Sequence, residues 1–120
     1  MINNGTFYIV TTDFLSISFF NSFKKDGISL EIVQNITDIF QLLSQVTTFD
    51  EIMILVDISD NEQTIFSTLS SLVQSFPSKQ IICFTETVEL EHIRKAKELS
   101  ISSVITRNDT QKLFELIKAQ

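Results

Sequence analysis

A doubly wound α/β fold, with five parallel strands alternating with five helices, is predicted by three observations. Short apolar runs recur along the chain and read as strands. Segments of helical length, each carrying an apolar stripe, separate them. Two of the runs, "IMILV" (Ile52–Val56) and "IICF" (Ile81–Phe84), are unbroken, as parallel strands covered on both faces are. Only two Gly and one Pro occur in 120 residues, and no linker, repeat or low-complexity tract interrupts the pattern. Residues 1–120 therefore read as one domain.

Each element has its own signal. The first strand is Phe7–Val10. The first helix lies in "FLSISFFNSF", where Leu15, Phe19 and Phe23 recur at i, i+4, i+8 with Phe20 beside them. The second strand, "ISLEIV" (Ile28–Val33), alternates partly. In the second helix Ile36, Ile39, Phe40 and Leu43 share a face behind an Asn35 or Thr37 cap. After the Ile52–Val56 strand, Ile65, Leu69, Leu72, Val73 and Phe76 stripe the third helix, which Pro77 ends. After Ile81–Phe84, the fourth helix has Val88, His92, Ala96 and Leu99 in line, with Ile93 beside them and Thr85 or Thr87 as cap. Val104–Ile105 is the last strand. Leu113, Leu116 and Ile117 stripe the fifth helix behind Asp109 or Thr110. Right-handed crossovers then give the order 2-1-3-4-5, with two helices on one face and three on the other.

Composition narrows the function. A chain 43% hydrophobic and 20% charged can bury a core, and eleven Phe with no Trp make that core aromatic. A formal charge of −6 argues against salt-driven nucleic-acid binding by this segment, which needs a basic face. Lys24/Lys25 and Arg94/Lys95/Lys97 read as solvated helix faces. The lone Cys83 excludes an internal disulfide and points to a reducing, cytoplasmic setting. Its apolar run makes it a buried, inert thiol. No signal peptide or spanning segment is visible, and no membrane partner is expected. His92, the only histidine, is expected at the surface or half-buried. No metal cluster, Gly-rich phosphate loop, Ser-His-Asp set or CxxC occurs, so no catalytic constellation exists and the chain is not expected to be an enzyme.

Functional crevices of open parallel sheets lie beyond the carboxyl ends of the strands. Asp57 ends the third strand there. Thr11, Thr12 and Asp13 end the first, Thr85 ends the fourth and Arg107 follows the fifth. An acid, hydroxyls and a cation are thus expected around one shallow pocket.

At this point the chain resembles, over essentially its whole length, the receiver domains of two-component response regulators. It is most similar to receivers that precede a helix-turn-helix DNA-binding domain. "IMILVDIS" matches the third strand and places the phosphoacceptor position on Asp57. "FPSKQIICFTE" puts Thr85 at the phosphoryl-binding hydroxyl, and "EHIRKAKELSISSVITRNDTQKLFELIKA" puts Arg107 at the family's lysine. The resemblance implies a flavodoxin-like fold, a partner histidine kinase and bound Mg²⁺. The departures are specific. Receivers end the first strand with two adjacent acids, where this chain has "IVTTDF". With Thr11/Thr12 at the acid positions, Leu15, Phe19, Phe20 and Phe23 take the apolar positions; with Thr12/Asp13, Ser16 and Asn21 take two of them. The Pro-Gly turn after the acceptor is missing from "ISDNEQT", and the aromatic switch position holds Val104.

The leading expectation is an atypical receiver, a pseudo-receiver in which Asp57 is vestigial. It serves as a regulatory and dimerisation module of a transcription regulator, with its DNA-binding domain outside this chain and without a cofactor. The alternative is a working phosphoacceptor with an altered Mg²⁺ site. A homodimer is expected because Phe14 or Ile17 and Phe114 fall off the apolar stripes of the first and fifth helices.

Overall fold

The computed structural model describes residues 6–45, 52–59, 62–75, 81–101 and 103–119. Strands β1 (Thr6–Val10), β2 (Leu30–Val33), β3 (Ile52–Asp57), β4 (Ile81–Thr85) and β5 (Ser103–Thr106) alternate with helices α1 (Phe14–Lys25), α2 (Asp38–Leu43), α3 (Glu62–Ser75), α4 (Leu90–Glu98) and α5 (Arg107–Ala119). All neighbouring strands pair in parallel, in the order β2-β1-β3-β4-β5. Val10 stands beside both Val33 and Val56, Asp57 beside Phe84, and Thr85 beside Thr106. The carboxyl ends are therefore flush, and the residues that follow them share one edge.

Strand side chains alternate between faces, so the sheet has two cores. On one side Tyr8, Val10, Ile54, Val56, Ile81 and Cys83 meet α2, α3 and α4 through Ile39, Leu43, Leu69, Leu72 and Ala96. On the other, Ile9, Leu55 and Phe84 meet α1 and α5 through Phe20, Phe23 and Phe114. The expected three-and-two layering holds. Burial pushes the Cys83 thiol up to about 12, in keeping with its inert reading.

Helix phases differ from the expected ones in several places. In α1 the side chain of Asp13 caps the helix, accepting from the Ser16 N–H (2.9 Å) and Oγ–H (2.8 Å). This start turns Ser16, Phe20 and Phe23 inward and leaves Leu15 76% exposed. Of the four apolar positions that favoured Thr11/Thr12, Phe19, Phe20 and Phe23 do pack inward and Asn21 stays exposed; only Leu15 and Ser16 exchange places, because the cap satisfies the serine and lets it be buried. In α5 neither Asp109 nor Thr110 is the cap. Thr106 Oγ1 accepts from the Asp109 N–H (3.0 Å), and no loop separates β5 from the helix. Thr110 and Phe114 then face inward, both fully buried, while Leu116 is exposed. Phe114 is core and leaves the set of interface candidates; Phe14 is exposed and Ile17 partly so.

The cap of α4 is Glu89, not Thr85 or Thr87. The Glu89 N–H donates to Nδ1 of His92 (3.1 Å), and this turns the imidazole inward, so His92 is buried, deeper than the surface or half-buried position expected. Ser100, at φ 61°, closes α4 with Ile101 N–H donating to Ala96 O (2.9 Å). Phe76 and Pro77 lie outside the described residues.

Candidate functional site

The ends of β1, β3 and β5 converge at the carboxyl edge. Asp57, the last residue of β3, is buried. A buried carboxylate must find donors or a cation, and this one has both. Thr11 Oγ1 donates to Asp57 Oδ2 at 2.7 Å. The Ser59 N–H (2.9 Å) and its hydroxyl donate to Oδ1. Arg107, the first residue of α5, points Nη2 at Asp57 Oδ2 (3.5 Å) and at Ser59 Oγ (3.2 Å). Its Nη1 lies 4.0 Å from Asp13 Oδ2. Thr11 Oγ1 also accepts from the Asp13 N–H (3.1 Å), which ties the start of α1 to the same cluster.

The electrostatics follow from these contacts. Hydrogen bonds from the Ser16 hydroxyl and backbone N–H hold the Asp13 carboxyl below its ordinary range; burial opposes them, and the Arg107 charge adds a weaker downward pull. The Arg107 side chain is only 22% exposed, and its Nε is buried without a hydrogen-bond partner.

Beside Asp57, on the side of β2 and α3, lies a cavity of about 250 Å³. Thr11, Thr12, Gln34, Asn35, Asp57 and Thr64 supply its polar lining, with Val10, Ile36 and Ile65. The single expected pocket is therefore divided. Thr11, Thr12 and Asp57 line the cavity, whereas Arg107 meets Asp57 outside it and reaches Asp13 on its other side. Thr85 is buried at the end of β4 and, among the described residues, joins neither the cavity lining nor the hydrogen bonds of Asp57. Ser59 escaped sequence reasoning. The Asp-x-Ser spacing was the available signal, since an aspartate commonly accepts from the backbone two residues on.

No protein-family model matches the chain, and no curated protein does. Solved structures match it closely in shape. The signal receiver domain of an HD domain-containing protein from Pseudomonas fluorescens Pf-5 superposes with a TM-score of 0.71 at 18% identity, over 96% of this chain and 93% of that one. The chain has the receiver fold. A response regulator from Thermotoga maritima gives 0.69 at 15% identity, over 97% and 98% of the two chains. The Mn²⁺-bound form of response regulator Rcp1 gives 0.69 at 14%, over 96% and 92%. The receiver-like chain adds to that fold an Asp57 held by Thr11, Ser59 and Arg107. Among its described residues, no group of three or more His, Cys, Asp or Glu could hold a metal, and no helix is long and apolar enough to cross a membrane.

Proposed function

We propose that this domain is an atypical receiver: a cytoplasmic regulatory and dimerisation module of a transcription regulator, not an enzyme, working largely without aspartyl phosphorylation. Its DNA-binding partner domain lies outside this chain. The observation that carries the reading is the engagement of Asp57. Both carboxylate oxygens already accept hydrogen bonds, and a guanidinium stands against one of them. A phosphoryl group on that carboxylate has to displace Thr11, Ser59 or Arg107.

The metal that receiver chemistry uses does not fit these residues. Mg²⁺ takes a near-octahedral set of oxygens, commonly with one or two carboxylates. Here the two carboxylates at hand, Asp57 and Asp13, face the Arg107 guanidinium, and Asp13 Oδ2 is also committed to capping α1. No cofactor is assigned.

Titration with beryllofluoride and Mg²⁺, followed by amide chemical shifts, tests this reading. No response at Asp57 and Thr85 is expected. Saturable shifts at both replace the proposal with a phosphoacceptor modified on Asp57 by a histidine kinase. The dimer rests on Phe14 and Leu15, both exposed in the first turn of α1, with Ile17 behind them. Sedimentation at tens of micromolar is expected to give a dimer that Phe14→Asp dissociates; a monomeric parent removes the claim.

A further inference from the structure

We infer that Arg107 is the resident cation of a two-carboxylate site, and that its guanidinium occupies the place a divalent ion takes when that charge is removed. The inference deepens the reading above, because it concerns the same edge, but it stands on geometry alone. One side chain, from the start of α5, reaches acids at the ends of two strands: Asp57 of β3 at 3.5 Å and Asp13, beyond β1, at 4.0 Å. Its Nη2 also takes Ser59 Oγ at 3.2 Å. Thr11 Oγ1 sits between the two acids, donating to Asp57 and accepting from the Asp13 backbone. Two carboxylates and two hydroxyls are hard oxygen donors, the kind Mg²⁺ and Mn²⁺ select. What closes the site to them is the guanidinium.

The guanidinium is also placed by its head rather than by its full donor set. Nε is buried without an acceptor, so the stem runs through a space that offers it nothing, while both terminal nitrogens face carboxylates. An arginine cannot shed its proton to relieve this arrangement. The guanidinium therefore offsets one of the two carboxylate charges permanently, and it stands where a divalent ion would have to enter. Removing the charge while keeping a polar side chain, as in Arg107→Gln, leaves two like charges facing one space with no counter-ion.

The test uses Mn²⁺ broadening of amide resonances and melting temperature in millimolar Mg²⁺. In the parent, residues 11–13 and 57–59 are expected to stay sharp and the melting temperature unmoved. In Arg107→Gln the same residues broaden, with at least tenfold tighter Mn²⁺ binding than the parent, and Mg²⁺ raises the melting temperature. Equal broadening of parent and variant overturns the inference, as does a variant that ignores both ions. If Arg107→Gln folds only with metal, that supports it; if it is unfolded with and without metal, Arg107→Gln with Asp13→Asn decides. Asparagine keeps the cap of α1, so this double variant is expected to fold and to be blind to metal; metal binding by it equal to that expected of Arg107→Gln overturns the inference. Beryllofluoride response is a separate readout, so failure here leaves the phosphorylation reading where it stood.

Discussion

The two faces of the sheet are packed by different means. Under α1 and α5 the core is a ring cluster. Phe114 lies 4.9 Å from Phe7, 5.2 Å from Phe20 and 5.4 Å from Phe23, centroid to centroid, and Phe20 reaches Phe84 at 6.1 Å. Under α2, α3 and α4 the core is mostly aliphatic, with Tyr8 and Phe66 its buried rings, and α4 contributes little to it: His92 and Ala96 are buried, whereas Leu90 and Ile93 are exposed. Large rings held edge to face or tilted against one another fix relative helix positions, because a ring has few alternative rotamers and its neighbours prefer particular angles. A helix resting on alanine and a hydrogen-bonded imidazole has less apolar area tying it down. By buried side chains, α1 and α5 are tied to the sheet by large rings, and α4 by Ala96 and His92.

The strongest way to break this comparison is Phe114→Ala. Emptying the centre of the ring cluster is expected to cost about 3–5 kcal/mol in urea unfolding, the range for a buried aromatic, a large part of the roughly 5–15 kcal/mol that holds a domain together. A loss below about 1 kcal/mol on that scale would remove the ring cluster's special standing. The comparison is sharpened by coupling. Phe20→Leu with Phe114→Leu is expected to be non-additive by about 0.5–3 kcal/mol, as contacting residues are, while Phe114→Leu with Leu69→Ala, on opposite faces, adds within about 0.5 kcal/mol. Equal coupling in both pairs would mean that the sheet transmits packing and the faces are not separate.

Smaller effects probe the joints between the halves. Asp13 holds the entry to α1, with its folded pKa below its unfolded value. It therefore contributes stability at neutral pH, fully present above the unfolded value near 4 and lost as the pH falls through the folded value. Parent stability is expected to decline below about pH 4, and Asp13→Asn, which keeps the cap, to flatten that decline. At the close of α4, Ser100 adopts a left-handed conformation that glycine enters without strain. Ser100→Gly is expected to change the melting free energy by no more than about 1 kcal/mol, in the stabilising direction.

The strands and their order were legible in the sequence because burial on both faces leaves an unbroken apolar run, and "IMILV" and "IICF" have little other use. Helix phase was not. Leu15 and Ser16, or Leu113 and Phe114, are each one residue apart, about 100° around the helix. Which of each pair faces the sheet depends on where the helix begins. In α1 that is set by Asp13 accepting from Ser16, and in α5 by Thr106 capping directly from the strand. Apolar periodicity favoured Leu15 over serine, but the cap satisfied Ser16 and let it be buried. The edge followed the same rule: strand ends brought Asp57, Thr11 and Arg107 together, whereas their division from Thr85 and the part of Ser59 depend on local turns.

The sulfur in the middle of β4 gives the molecule a built-in stopwatch. Cys83 is fully buried beside Val56 and Val104, and its thiol ionises only near 12. A thiol reagent needs both access and thiolate, and the folded chain offers neither at neutral pH. Any labelling that does occur therefore counts excursions in which the centre of the sheet comes apart. Because Cys83 is the only cysteine, that count has a single source. Its rate, compared between the parent and variants on either face, ranks how far each side of the sheet governs opening at the centre.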